Sequence, residues 1–201
     1  MLSEKTRSEL IKYKEANKDC KIRPIFGSLE SKFIVLAPAP CPEEIKRKFP
    51  LSSNGAVWAT NLFREHGIVF NRDATVICPC PVGAPSKTAS YAKGTALLRS
   101  IYRDLTDFPC LCFGSNNFKF LFGEGRKASD SSLSGNTIYN TWLGSSPLVY
   151  LSDPAFLGWP NEEDFTEVFQ FRRACDSVLL RRSLFKTHVN KVVPVLERYL
   201  K

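Results

Sequence analysis

Asp153 ends the stretch Leu151-Ser152-Asp153-Pro154, where an apolar run stops at a proline turn. A carboxylate in such a place can orient a water molecule or stabilise a developing positive charge. The same side chain can also cap the turn before Pro154. Asn54, directly before Gly55, can hold a water or a ligand edge, or cap the helix that starts there. Glu43 and Glu44 follow a proline as Pro42-Glu43-Glu44. In the first turn of a short helix they complement its dipole, and Glu43 is a third candidate acid or base. Asn116 and Asn117, after Gly114, can read the edge of a ring or cap the next helix. His66 and His188 match no such pattern and read as structural residues.

The seven cysteines limit the chemistry further. They are odd in number and follow no secretory signal, so they indicate free thiols, a reducing compartment and a cytoplasmic location. There is no Cys-x-x-Cys. Cys110 and Cys112 lie in an apolar run and read as core, while Cys78 and Cys80 beside prolines make a weak zinc pair. No metal is expected. Charge gives a positive clue: 28 Lys and Arg against 20 Asp and Glu give +8. The last 31 residues hold eight of the basic residues against Asp176 and Glu197. Mixed with apolar residues at helical spacing, they predict a helix with one basic face, either a solvated surface or one that follows phosphates.

With 201 residues, 43% hydrophobic and 24% charged, the chain reads as one globular domain without a membrane-spanning run. Residues 1–30 form an N-terminal helix and linker, 31–160 the core that bears the motifs, and 161–201 basic C-terminal helices. Apolar strands are predicted at Lys32–Leu36, Asp73–Cys78, Pro109–Phe113 and Pro147–Leu151. Helices are predicted at Ser3–Asn17, Gly55–His66, Ser90–Leu105, Ser115–Phe122, Glu162–Ser177 and Lys186–Leu200, with a mobile loop at Glu124–Ser134. The alternation gives an α/β class: a single three-layer domain with a central, mainly parallel four-stranded sheet flanked by helices. Every strand stops at a loop of special residues. In parallel sheets such loops meet at one cleft outside the strands' carboxyl ends.

Five segments in order resemble the motifs of the uracil-DNA glycosylase superfamily, especially its families four and five. They are Val35-Leu36-Ala37-Pro38-Ala39, Phe49-Pro50-Leu51-Ser52-Ser53-Asn54-Gly55, Val76-Ile77-Cys78-Pro79-Cys80-Pro81, Cys112-Phe113-Gly114 and Leu151-Ser152-Asp153-Pro154-Ala155. The resemblance implies a base-excising enzyme that flips a nucleotide out of DNA. It implies Asp153, Asn54 and Glu43 as catalytic candidates, and Ala37, Ala39, Phe49, Leu51 and Asn116 around the base. Ser52, Ser53, Lys87 and Ser152 would contact phosphates, and Phe156 and Leu157 would wedge into the base stack. Families four and five hold a four-iron cluster on cysteines. Only Cys78 matches such a position, so no cofactor is expected. The first-motif carboxylate or Asn of relatives is replaced by Leu36, or by Pro38 on a shifted alignment. The motif histidine is replaced by Asp153, and the base-stacking aromatic by Leu51.

A smaller residue at 51 predicts a base bulkier than uracil, such as a glucosylated hydroxymethylcytosine, as in superfamily enzymes that attack modified phage DNA. The expected partner is DNA, single- or double-stranded, with a monomeric enzyme and no membrane. Three other readings stay open: a uracil-excising repair enzyme, an inactive superfamily member that binds DNA or a protein, and a nucleotide-processing α/β enzyme. The absence of Gly-x-Gly-x-x-Gly and Gly-x-x-x-x-Gly-Lys weakens the last.

Overall fold

Four tetrapeptides form the centre of the sheet: β2 (Phe33–Leu36), β3 (Ala74–Ile77), β4 (Cys110–Phe113) and β6 (Leu148–Leu151). Each is buried at all four positions, as expected of strands covered on both faces, which carry continuous apolar runs rather than alternation. The computed structural model describes residues 2–81, 109–114, 117, 134–138, 147–158 and 168–201. Pairing is parallel from β3 to β2, β2 to β4 and β4 to β6, with Leu36 opposite both Ile77 and Cys112, and Phe113 opposite Leu151.

The sheet differs from the expected one. Among the described residues it has six strands in the order β1 (Ile25–Gly27), β3, β2, β4, β6, β5 (Asn136–Ile138), and it is mixed. β1 and β5 are antiparallel edge strands of three residues each. An edge strand with one neighbour needs no apolar run, so neither shows the signal that marks the central four. The class is therefore α/β with helices flanking a mixed sheet.

The described helices are α1 (Glu4–Ala16), α2 (Pro42–Arg47), α3 (Asn54–Glu65), α4 (Phe70–Asp73) and α5 (Val168–Leu200). Ser3 caps α1 by accepting from the Thr6 amide. The Tyr13 hydroxyl ties α1 to the end of β3 by donating to the Cys78 carbonyl over 2.9 Å. Phe63 of α3, Phe70 of α4 and Phe113 of β4 pack ring to ring, 5.2 to 6.4 Å between centroids, which fixes α3 on the sheet.

The C-terminal helix is a second difference. Two helices were expected, but α5 runs unbroken for 33 residues. Val178, Phe185, Val189, Val192, Val193 and Leu196 make one buried stripe at helical spacing across the expected break. The predicted helices at Ser90–Leu105 and Ser115–Phe122, like Glu124–Ser134 before its last residue, fall outside the described residues apart from Asn117. No described helix is long and apolar enough to cross a membrane.

Candidate functional site

Strand order locates the site. From β2 the chain passes to β3 on one side, and then returns across β2 to β4 on the other. The loops leaving the carboxyl ends of β2 and β4 therefore head in opposite directions. Such a switch point opens the crevice where α/β sheets bind ligands. Asn117 holds its two edges together: its buried amide donates to the Ala37 carbonyl over 2.7 Å and the Phe113 carbonyl over 3.0 Å. Gly114 (φ +83°) brings in the third loop. A Cβ there would lie 3.2 Å from the Pro38 Cβ and 3.7 Å from the Asp153 Cβ. Three of the four strand-end loops thus converge, as expected of them.

Asp153 stands at that meeting point. Its carboxylate accepts from the Ala155 amide over 2.9 Å, capping a 3-10 turn at Pro154–Leu157. The turn lies directly on the start of α3. A Cβ on Gly55 would run into the Pro154 carbonyl and come within 2.6 Å of the Gly158 nitrogen. Only glycine allows this approach.

Behind Asp153 lies a carboxylate that the sequence did not single out over its neighbour. Glu44 is 2% exposed. Ser53, the N-cap of α3, donates its hydroxyl to Glu44 Oε1 over 3.2 Å, and the Cys41 amide donates to Oε2 over 3.4 Å. Burial pushes the Glu44 carboxyl above its usual range, and the charge of Asp153 adds to the shift, against the hydrogen bonds from Ser53 and Cys41. The spacing that could have revealed it is that of a capping box: N-cap Cys41 followed at N3 by Glu44.

Glu43 and Asn54 form a separate network at the surface. Glu43 pairs with Arg47 at 2.7 Å and accepts from the Asn54 amide over 3.1 Å, while Asn54 Oδ1 accepts from Arg47 over 3.2 Å. Ser52 joins them, its carbonyl accepting from Arg47 and its hydroxyl donating to the Phe49 carbonyl over 2.6 Å. Ser53 is buried. Ala37 is buried and presents its backbone to Asn117, whereas Ala39 is half-buried in the crevice loop. Phe49 and Leu51 face elsewhere. With Phe26 and Arg64 they line a hollow of about 130 Å³ that shares no residue with the surroundings of Asp153. Phe49 stacks on Phe26 at 4.5 Å, under the guanidinium of Arg23. Lys87 and Asn116 lie outside the described residues.

On the other side of Asp153 a cleft of about 380 Å³ opens against α5. Ser152, Phe156 and Leu157 border it, with Arg181, Leu184 and His188 from α5. Of the expected wedge pair, Phe156 is 65% exposed while Leu157 is buried. Sequence reasoning missed the groups that hold this wall. The Ser152 amide donates to Ser134 Oγ over 3.1 Å, and Ser134 Oγ lies 2.9 Å from His188 Nδ1. Burial and nearby Lys191 hold His188 below its usual pKa. No spacing rule links residues 54 positions apart. Three thiols are poor nucleophiles: burial pushes Cys78 and Cys112 up, and Cys41 likewise, with a further push from Glu44. Among the described residues no three His, Cys, Asp or Glu side chains gather to hold a metal.

No protein-family model matches the chain, and no curated protein matches it either.

Proposed function

We propose that this protein is a monofunctional DNA glycosylase: it extrudes a modified pyrimidine nucleotide, hydrolyses the N-glycosidic bond and leaves an abasic site. The observation that supports this most is the pair of acidic side chains at the switch-point crevice, close enough for the charge of Asp153 to act on Glu44. Two carboxyls in unlike settings divide into a neutral and an ionised member. Burial favours the neutral form of Glu44, which suits it to the uncharged role, and the better exposed Asp153 on the crevice wall is assigned the charged one. As the glycosidic bond breaks, its electron pair leaves with the base and the sugar becomes cationic. Asp153 stabilises that cation and takes a proton from the water that adds to the anomeric carbon. The position of Asp153 against the Gly114 and Pro38 loops, and the basic α5, fit a site that receives one nucleotide from a polyanion.

The preferred base is bulkier than uracil, such as a 5-substituted or glucosylated cytosine, which suits a role against modified foreign DNA. That preference rests on the missing uracil-type residues of the superfamily motifs, at Leu36 or Pro38 and at Asp153, and not on Leu51, which lines the separate hollow. The test is an excision assay on DNA containing uracil, hypoxanthine, 5-hydroxymethylcytosine, glucosylated hydroxymethylcytosine or ordinary bases, with alkali to reveal abasic sites. We expect cleavage at a modified cytosine, and Asp153→Asn to slow it by about 10²–10⁴-fold with DNA affinity retained. Cleavage at uracil alone would make it a repair enzyme. A second reading, an inactive DNA-binding member, draws on the cap that Asp153 makes to the Ala155 amide. DNA binding without excision of any base on the panel would select it.

A further inference from the structure

The hollow that the motifs point to and the cleft beside α5 compete as the place for the base. Ligand sites span about 300–1,000 Å³ and combine apolar walls with a few converging polar groups. The Phe49–Leu51 hollow, at about 130 Å³, falls short of that range, and the cleft at about 380 Å³ lies within it. Resting on the glycosylase reading, we propose that the pyrimidine nucleotide lodges in the cleft between residues 152–158 and α5, with His188 reading its base edge and Asp153 beside its sugar.

The chemistry of the walls selects such a ligand. Leu157 and Phe185 are buried and give the cleft an apolar floor, while Phe156 at its mouth offers an exposed ring on which a base can stack. Ser134 Oγ accepts from the Ser152 amide, which leaves its own proton available for His188 Nδ1, 2.9 Å away. Nδ1 accepts it in the neutral imidazole, the form that burial and Lys191 favour. The ring's proton then sits on Nε2, making His188 a donor for a base carbonyl. A pyrimidine carbonyl is the acceptor that this donor fits, and Asp153 in the same cleft is left to the sugar. Arg181 at the rim provides the positive charge for the flanking phosphate.

The test uses the full chain with 2′-deoxycytidine 5′-monophosphate and its 5-hydroxymethyl analogue as probes, followed by amide and imidazole NMR signals. We expect shifts at the Ser152 amide and the His188 ring. Leu184→Trp fills the cleft from a position that is 49% exposed, so it folds, and it should weaken both probes at least tenfold. Asn71→Trp at the hollow should leave binding unchanged. Shifts confined to Thr60 and Arg64, unchanged binding by Leu184→Trp, or no binding of either probe would overturn the proposal. The two ideas separate cleanly. Probe binding in the cleft without excision on the DNA panel removes the glycosylase and keeps the nucleotide site. Excision that Leu184→Trp leaves intact does the reverse.

Discussion

At the scale of single residues, adjacent glutamates have opposite fates. Glu43 reaches Arg47 at the surface, while Glu44, one position on, turns inward to Ser53. The sequence offers both as Pro-Glu-Glu, and a helix of six residues carries too little apolar periodicity to say which one faces the core. The burial of Glu44 has a measurable sign. Its folded-state pKa is raised, so the native state holds the proton more tightly than the unfolded chain does. That stabilisation is complete below the ordinary carboxylate range and is lost as pH rises through the folded-state value. Glu44→Gln keeps the acceptor for Ser53 without the charge. Its thermal midpoint should match wild type near pH 4 and exceed it by a widening margin as pH rises above the ordinary carboxylate range. A constant gap as pH rises would show that the charge is not the source of the cost. The same variant should leave excision close to wild type, because Gln reproduces the uncharged member of the pair beside Asp153.

At the scale of elements, the meeting of α3 with the 3-10 turn decides where Asp153 stands. Gly55→Ala places a methyl group against the Pro154 carbonyl and the Gly158 amide, neither of which can yield without moving the turn. We expect a loss of about 1–3 kcal/mol in urea unfolding and a fall in excision larger than that loss explains. Gly67→Ala is the contrast. It has φ +76° and nothing within 4 Å, so it should cost stability through backbone strain alone and leave excision unchanged. Ser53→Ala removes both the α3 cap and a hydrogen bond to Glu44, and should cost about 1–2 kcal/mol. The central strands were legible because burial on both faces leaves a continuous apolar run, as in Phe33–Leu36. Ile25–Gly27 was not, since an edge strand owes its place to pairing with β3 rather than to its own residues. The continuity of α5 was hidden for a related reason. Arg182 looks like surface charge in the sequence. In the structure its guanidinium lies 4.9 Å from the Trp58 ring and donates to the Leu157 carbonyl over 2.8 Å, carrying the helix across the predicted break.

At the scale of the molecule, the excess charge divides into two uses. Arg181 lines the cleft, and Arg182 braces its turn by donating to the Leu157 carbonyl. Arg172, Lys186, Lys191 and Arg198 of the same helix are exposed and away from its buried stripe. That separation makes the two uses distinguishable by salt. Each phosphate contact contributes a slope of about 0.7 for single-stranded and about 0.9 for double-stranded DNA in log affinity against log salt. Replacing Arg172 and Lys186 with Gln should lower the slope by about 1.4 to 1.8 and leave the single-turnover excision rate of bound DNA unchanged. Arg182→Ala should do the opposite: it removes a hydrogen bond to the turn that carries Asp153, so the rate on bound DNA falls more than the slope changes. An unchanged slope in the Arg172 and Lys186 double variant would mean that the exposed face of α5 does not follow the DNA backbone. The nucleotide would then have to be held by the cleft itself, with Arg181 as its phosphate contact, and affinity would depend on salt only weakly.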